Sequence, residues 1–295
     1  MIISSVVYAF DPKNSPVGKA KSGDTLVFET MDCFSNEISR EDQLITTFDY
    51  NRANPAAGPI FVDGAEPGDV LVAEIKAIDL KAQGVVTTLP EVGPLCDIMQ
   101  VRTKVLKVAD GHTEFNGLKL PVKPMVGVIG VAPAQDPVPC GFPGAHGGNL
   151  DCKLMGVGAR AYFPVRAPGA LFQLGDLHAV MGDGELCGTG LEIAGKVTVT
   201  LTLIKKTPLD WPILETADQW HAMASSLDFG EALKAATRQL CALVSKAYGW
   251  DATDTFFYFS LWGDLAANQA CQPCPVPMVL RVSIPKRADK PLIRA

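Results

Sequence analysis

Short apolar segments separated by Gly, Pro, Asp and Asn dominate the first two thirds of the chain. The segments with strand length and β-branched content are Ser5–Phe10, Asp24–Glu29, Val70–Ile75, Met125–Ala132 and Lys196–Leu203. Several of them alternate apolar and polar positions, as a strand with one buried face does. The spacing predicts a β-sandwich or distorted barrel over residues 1–207, with loops at the strand ends available for a site.

The pattern changes after Pro208. Residues 228–248 carry Leu233, Leu240 and Leu243 on one stripe, which predicts an amphipathic helix ended by Gly249. We expect a short helix over residues 216–223, a second long one over 251–263 and a closing strand over 276–284. The chain is therefore predicted to be mainly β, with a smaller α+β portion at residues 208–295 that packs on the body.

Composition narrows the class of protein. The 295 residues are 47% hydrophobic and 20% charged, as in a globular protein. The net charge of −6 and the scattered Lys and Arg argue against nucleic acid or a membrane surface as partner. No apolar run approaches the roughly 20 residues that span a bilayer, and the N-terminus does not resemble a secretory signal. We expect a cytoplasmic protein.

The eight cysteines fit reduced thiols better than a disulfide framework. Cys271 and Cys274 form one CxxC pair, but a structural zinc site needs a second pair of ligands. The favoured interpretation is therefore two thiols in a loop before a strand. The glycines of residues 156–161 fit a dinucleotide fingerprint only as a bare pattern, because Pro164 follows where a helix must run.

A segment rich in histidine, carboxylates and glycine spans residues 143–192. It contains His146, Asn149, Asp151, Asp176, His178, Asp183, Glu185 and Glu192. Three pairs are separated by two positions, which places both side chains of each pair on one face if the segment is extended. Histidine with carboxylates suits zinc or a comparable divalent ion. The spacing is equally compatible with a structured Gly- and Asp-rich loop.

Two stretches resemble the acetamidase/formamidase family. They are Gly147-Gly-Asn-Leu-Asp151 and Gly175-Asp-Leu-His-Ala-Val-Met-Gly-Asp-Gly-Glu185, and similarity extends over nearly the whole chain. The resemblance implies a β-rich homo-oligomer that hydrolyses formamide, acetamide or similar short amides to a carboxylate and ammonia. It also implies a divalent metal, zinc first, with calcium or another ion as alternatives.

The resemblance also suggests site residues. The expected metal ligands are Asp32, Asp151, Asp176 and His178. Glu185 is the expected general base, His146 is a ligand or an oxyanion donor, and Asn149 orients the substrate amide. Met181 departs from the family, which commonly has Gln there, so the preferred substrate could differ if this side chain reads the amide.

Three alternatives stay open. In the first, Cys140 or Cys152 is the nucleophile of a cysteine hydrolase, with His146 or His178 as base. In the second, the protein keeps the fold and the metal as a binding module without turnover. In the third, a similar site acts on another C–N bond, in a cyclic amide, a carbamate or a urea-like compound.

Overall fold

The computed structural model describes residues 2–294 as two large packed β-sheets, one two-stranded sheet and two helices. The strands are β1 (Ile2–Ile3), β2 (Val6–Val7), β3 (Ala9–Phe10), β4 (Gly18–Ala20), β5 (Thr25–Thr30), β6 (Ala56–Val62), β7 (Val70–Leu80), β8 (Gln83–Thr87), β9 (Thr103–Ala109), β10 (His112–Phe115), β11 (Leu118–Pro121), β12 (Met125–Gly130), β13 (Val138–Pro139), β14 (Pro143–Gly144), β15 (Gly147–Asn149), β16 (Arg160–Pro164), β17 (Phe172–His178), β18 (Glu192–Ile193), β19 (Gly195–Ile204), β20 (Ile213–Glu215), β21 (Gln219–Ser226), β22 (Asp264–Gln269) and β23 (Met278–Pro285). The helices are α1 (Phe229–Tyr248) and α2 (Ala252–Trp262). The predicted mainly-β fold is confirmed.

The first sheet has nine strands in the order β1-β5-β19-β7-β16-β20-β21-β23-β22. All its pairs are antiparallel except β1 with β5. Strands from both sides of residue 207 share this sheet, since β20 and β21 continue it from β16. The division at residues 207 and 208 stays a prediction.

The second sheet is centred on β17, which has β12 along one side. On its other side β17 pairs with β6 through Gly175 and with β18 from Leu177 onward. Strands β8 to β11 continue from β18, and β15 and β14 continue from β12. Asp176 therefore lies where the neighbour of β17 changes, and a gap opens in the sheet there.

The main core lies between the two sheets. It joins Phe28, Leu71 and Val199 of the first sheet to Ile129 and Phe172 of the second, and all five are fully buried. Burial alternates along β19, as the period-two pattern of Lys196–Leu203 predicts. A second apolar cluster packs α1 on the first sheet.

Helix α1 follows its sequence signals closely. The Asp228 carboxylate accepts a hydrogen bond from Glu231 N, and Gly249 adopts the left-handed conformation with φ 74°. Helix α2 also forms as predicted, with Asp251 capping Asp254 N. Neither helix in the described part of the chain is long and apolar enough to cross a membrane.

The short helix predicted over residues 216–223 is wrong. Gln219–Ser226 forms strand β21, which pairs along its length with β23 and at its first half with β20. Its Ala, Met and Gln residues favour a helix locally, but the strand ladders and the burial of Trp220 and Ala222 beneath α1 outweigh that preference. The strand predicted over Ser5–Phe10 is divided, because Val6–Val7 pairs with β6 and Ala9–Phe10 pairs with β13.

Candidate active site

Asp176 occupies the gap in the second sheet. Gly127 of β12 lies opposite it, between the pairs Val126–Leu177 and Val128–Gly175. Asp176 has φ 55° there, so its backbone departs from the strand conformation. Its Oδ2 accepts a hydrogen bond of 2.8 Å from Asn54 Nδ2.

His178 and Glu192 are direct neighbours across the β17–β18 ladder. The His178 Nε2 to Glu192 Oε2 distance is 3.1 Å. The other carboxylate oxygen of Glu192 accepts a 2.7 Å hydrogen bond from Gly190 N. On the far side of the imidazole, His178 Nδ1 lies 3.2 Å from the Met181 sulfur. A thioether is a weak acceptor, so the main polar neighbours of His178 lie on its Nε2 side.

Asp151 follows β15 and turns toward Asp176. Leu150 N and Asp151 N both donate to Gly127 O, at 3.0 and 3.3 Å. A Cβ atom on Gly127 would lie 2.6 Å from Asp151 Oδ1 and 2.7 Å from Asp176 Oδ2. Glycine at position 127 therefore makes room for two carboxylates to meet.

Glu185 lies on the loop between β17 and β18, and the end of β22 holds this loop. Gly184 N donates to Asn268 O at 2.9 Å, and Ala270 N donates to Gly184 O at 2.8 Å. The two terminal guanidinium nitrogens of Arg281, Nη1 and Nη2, each donate to one oxygen of the Asp183 carboxylate at 2.7 Å. The two residues before Glu185 are thus fixed by β22 and β23.

The Asn268 side chain joins this loop to Asp151. It is fully buried, donates to Leu150 O at 3.1 Å and accepts from Arg281 at 2.7 Å. One asparagine and one arginine therefore position the backbone on both sides of the site. We call Asn268, Arg281 and Asp183 the clamp.

The clamp holds residues in a costly conformation. Asp151 has φ 41° and Glu185 has φ 44°, in the left-handed region that non-glycine residues rarely adopt. Such residues persist only where the surroundings determine them, at a cost of about 1–3 kcal/mol each. The unfavourable backbone conformation of these two residues thus lowers stability and orients their carboxylates.

The side chains converge on His178 Nε2. Besides Glu192, the nearest carboxylate oxygens are those of Asp176 at 3.5 Å, Asp151 at 3.9 Å and Glu185 at 3.9 Å. All five side chains are buried. Four carboxylates and one imidazole therefore share a small volume from which bulk water is excluded.

Burial and mutual repulsion perturb these groups strongly. Burial, with the neighbouring Asp176 charge, raises the pKa of Asp151 to about 8. Burial also raises the pKa of Glu192 to about 7 and that of Glu185 well above its ordinary value. Burial opposes a charged imidazole, but the Glu192 and Asp176 carboxylates raise the pKa of His178 well above its usual value. The cluster favours added positive charge, whether as protons or as a cation.

The donor atoms fit a divalent cation. Within residues 2–294, both oxygens of Asp151, Oδ1 of Asp176 and Oε2 of Glu192 are buried without a hydrogen-bond partner. Ligand atoms of Asp151, His178 and Glu185 lie within 4.8 Å of one another, and so do those of Cys33, Asp176 and Glu192. Unpaired buried carboxylates are costly, and mixed oxygen and imidazole donors suit zinc. The residues present therefore fit the metal that the resemblance implies.

A cavity of about 40 Å³ adjoins the cluster. Its polar side is formed by amide, hydroxyl and carboxylate side chains, namely Asn54, Asn149, Gln269, Thr189, Asp176, Glu185 and Glu192. The remaining wall includes Phe34, Phe48, Tyr50, Cys271 and Cys274. The cavity thus places three carboxamides and three carboxylates against an otherwise largely apolar wall.

The structure brings together most, but not all, of the residues expected at the site. Asp151, Asp176, His178 and Glu185 converge, and Asn149 lines the cavity, where its Oδ1 accepts from Asn54 at 3.3 Å. The roles of these residues stay predictions.

Asp32 and His146 are placed differently. Oδ1 of Asp32 accepts hydrogen bonds from Phe34 N and Asn36 N at 3.0 and 2.7 Å, so it shapes the loop after β5. Burial raises the pKa of Asp32 despite those bonds. His146 packs its ring on Phe10, with centroids 4.8 Å apart, and burial lowers its pKa to about 4. Neither belongs to the groups of mutually close ligand atoms among the described residues, and their roles stay predictions.

Sequence reasoning left three members of the site without a role. Glu192 was counted among the acidic residues, but its pairing with His178 depends on the β17–β18 register. Asn54 and Cys33 come from a distant loop and are joined by the Asn54 N to Cys33 O hydrogen bond of 3.0 Å. Two sequence signals fall in this loop: the Asn54-Pro55 dipeptide, which is a turn signal, and Asp32, which the resemblance suggests and which directly precedes Cys33.

The candidate nucleophilic cysteines are poorly placed. Cys140 and Cys152 are fully buried and are not among the residues found to line the cavity. Burial raises their pKa to about 12 and about 11. Since the thiolate is the nucleophile, both positions disfavour the cysteine mechanism.

Comparison with known proteins places this chain in a family. The model of the Acetamidase/Formamidase family matches residues 6–139 and 140–249. One solved structure is that of a protein described as a predicted acetamidase/formamidase from Thermoanaerobacter tengcongensis. It is 43% identical in sequence with a TM-score of 0.91, and the match covers 96% of this chain and 95% of that chain. A solved acetamidase from Bacillus halodurans is 38% identical with a TM-score of 0.92, covering 97% of both chains.

A curated relative is more distant. A putative formamidase of Schizosaccharomyces pombe is 27% identical over 247 residues, which are 62% of this chain and 60% of that protein. The match thus spans under two thirds of the curated relative. The chain belongs to the acetamidase/formamidase family.

Proposed function

We propose that this family member hydrolyses short linear amides, such as formamide and acetamide, to a carboxylate and ammonia with the help of a bound divalent cation. The observation that carries the proposal is the set of unpaired buried carboxylates around His178 Nε2, beside a cavity with polar walls. Relatives named formamidase and acetamidase support the amide as substrate.

Asp151, Asp176 and His178 would hold the cation, and zinc suits their oxygen and nitrogen donors best. A cation there supplies Lewis-acid polarisation of a carbonyl and makes water more acidic. Glu192 Oε2 lies 3.1 Å from the same Nε2 atom of His178, on the side of the ring that would face the cation. The clamp fixes the backbone of Asp151, so the ligand positions are set before substrate arrives.

Glu185 is the proposed general base and acid. Its carboxylate lines the cavity, and the burial that raises its pKa suits a group that takes a proton from water and returns it to departing ammonia. Asn149 has its side-chain oxygen engaged by Asn54, which leaves its NH2 group as a donor for the substrate carbonyl.

The cavity volume supports a short acyl chain. A site for one water molecule needs about 10–15 Å³, so a cavity of about 40 Å³ suits a molecule of a few non-hydrogen atoms. Formamide and acetamide have that size. A large cyclic or peptide substrate requires the aromatic wall to move.

Metal analysis and an ammonia assay test the proposal. We expect about one divalent ion per chain, loss of activity on chelation and its return with zinc. Asp151→Asn is expected to lose the ion, whereas Asp63→Asn, the same change in an exposed turn, keeps both ion and activity. An active metal-free preparation would overturn the mechanism.

Glu185→Gln separates the roles of the carboxylates. We expect the ion to stay bound while kcat falls by about 10²–10⁴, the usual contribution of a general base. Loss of the ion along with activity would show that Glu185 is a ligand, as its closeness to Asp151 and His178 also permits.

Assembly as a homo-oligomer remains a proposal, which light scattering at several concentrations checks.

A further inference from the structure

Two cysteines share one wall of the cavity. Cys271 and Cys274 lie in the loop between β22 and β23, and both line the cavity together with Glu185 and Asp176. Both thiols are free, Cys271 buried and Cys274 half-buried. The metal site described above uses neither of them.

The geometry of this loop brings the two thiols together. Both side chains pack in one small apolar cluster with Leu89 and Val92. The Gln272 side chain accepts from Cys274 N and donates to Val276 O, both at 3.0 Å, which closes the loop on itself. Gly93 N donates to Cys271 O at 2.8 Å and to Pro273 O at 3.2 Å. The backbone is thus anchored from both sides around the pair.

The environment distinguishes Cys274 as the reactive member. Its sulfur accepts from Val276 N at 3.4 Å and lies 3.9 Å from the Tyr50 hydroxyl. The neighbouring Cys271 thiol lowers the pKa of Cys274 to about 6, while the Cys274 side chain and burial raise the pKa of Cys271. One accessible thiolate beside a protonated buried thiol is the arrangement of a dithiol that exchanges with disulfides.

We propose that Cys271 and Cys274 form a redox-active dithiol in the cavity wall, which a small-molecule disulfide oxidises to an intramolecular disulfide that lowers amide turnover. The second half of the proposal, that the disulfide lowers amide turnover, rests on the proposed function because it treats the cavity as the substrate site. Cys271 follows Ala270, whose N–H binds the Gly184 carbonyl next to Glu185. Movement of this loop therefore reaches both the cavity wall and the general base.

The exchange proceeds in two balanced steps. Cys274 thiolate attacks one sulfur of the reagent disulfide, and the other sulfur leaves as a thiolate that takes a proton. Cys271 then gives up its proton and attacks the Cys274 sulfur, which expels the second reagent thiol. The protein loses two hydrogen atoms, and the reagent disulfide is reduced to two thiols.

The test treats the metal-loaded full chain with 2-hydroxyethyl disulfide and follows mass and turnover. We expect the peptide with residues 271–274 to lose two hydrogens without an adduct, and six of the eight thiols to stay free. We also expect kcat/KM for formamide to fall about tenfold or more, the scale of effect that an ångström-sized displacement produces. A phosphine reductant should restore it.

Three variants sharpen the result, each compared with its own reduced form. Cys271→Ser should keep a stable reagent adduct on Cys274, and Cys274→Ser should show neither disulfide nor inhibition. Cys241→Ser on α1, half-buried outside the cavity lining, should respond like the wild type. Absence of the disulfide, or a disulfide that leaves kcat/KM unchanged, overturns the proposal.

Mass and thiol count need no turnover, so they also separate this proposal from the proposed function. A protein that forms the disulfide but never releases ammonia contradicts the amidase proposal alone. In that case acetamide binding, measured by calorimetry before and after oxidation, decides the second half. Unchanged binding overturns it, and weakened binding supports it.

Discussion

Gly127 is the position at which a single methyl group should disturb the active site most directly. In Gly127→Ala the new Cβ meets Asp151 Oδ1 at 2.6 Å and Asp176 Oδ2 at 2.7 Å. Ordinary carbon–oxygen contacts begin near 3.4 Å, so each oxygen lies about 0.7–0.8 Å too close. Neither carboxylate can retreat freely, because both are buried and Asp176 is held by Asn54.

This displacement translates into a measurable loss. A misplacement of about 1 Å costs roughly 10²-fold in rate, so we expect kcat/KM to fall by about 10–100-fold, or about 1.4–2.7 kcal/mol of transition-state stabilisation. Affinity for the cation should fall by a similar factor. Forcing a methyl into a packed region should also reduce the free energy of unfolding by about 1–3 kcal/mol.

The assay combines formamide turnover, zinc affinity by chelator competition and urea unfolding. Gly182→Ala is the matched control, because a Cβ at position 182 meets nothing within 4 Å and its φ is not positive. It should leave all three measurements near the wild-type values. Wild-type turnover and zinc affinity in Gly127→Ala would refute the close approach of Asp151 and Asp176 across Gly127.

Three further predictions concern the clamp, the buried histidine of β21 and the metal. Asn268→Ala should lower kcat/KM about tenfold in steady-state kinetics and lower the free energy of unfolding by about 2 kcal/mol in urea melts. Asn268→Asp should show smaller losses of both. Unchanged kinetics in Asn268→Ala would contradict the positioning role of the clamp. Burial and Arg281 lower the pKa of His221 from 6.5 to about 4, so its neutral form stabilises the fold above pH 6.5 and this contribution, on the order of 3 kcal/mol, is lost as pH falls toward 4. Urea melts should show a flatter acid dependence in His221→Gln, and an equal slope would disprove the assignment. Chelation should lower the melting temperature by several degrees because repulsion among the carboxylates returns; zinc should restore it, and an unaltered melting curve would count against a bound cation.

The sequence predicts the local parts of this fold well. Strands with strong alternation, such as Lys196–Leu203, and helix α1 with Asp228 and Gly249 at its ends form where their patterns indicate. Strand β21 was missed because its residues have helical preferences that only its two neighbouring strands override. Local propensity cannot contain that information, since it arises from residues far along the chain.

The same limit applies to the site. The two-residue spacing of Asp176 and His178 correctly predicted that their side chains lie close together, because both residues lie on β17. Glu192 and Asn54 join them through strand register and a distant loop, which a linear pattern does not encode. The resemblance to a family suggests Asp32 and His146 as well. In the structure Asp32 accepts hydrogen bonds within the loop after β5 and His146 packs on Phe10, and their roles stay predictions.

The clamp also sets an order of assembly during synthesis. Every proposed ligand and the proposed base precede Asn268 and Arg281 in the sequence, since these two lie 83 and 96 residues after Glu185. Until both are synthesised, Asp151 and Glu185 lack the partners that hold their left-handed backbone, and contacts of such long sequence separation form late in folding. A nascent chain can therefore bring its acidic residues near one another without forming the proposed metal site, and the last strand to be translated completes the arrangement.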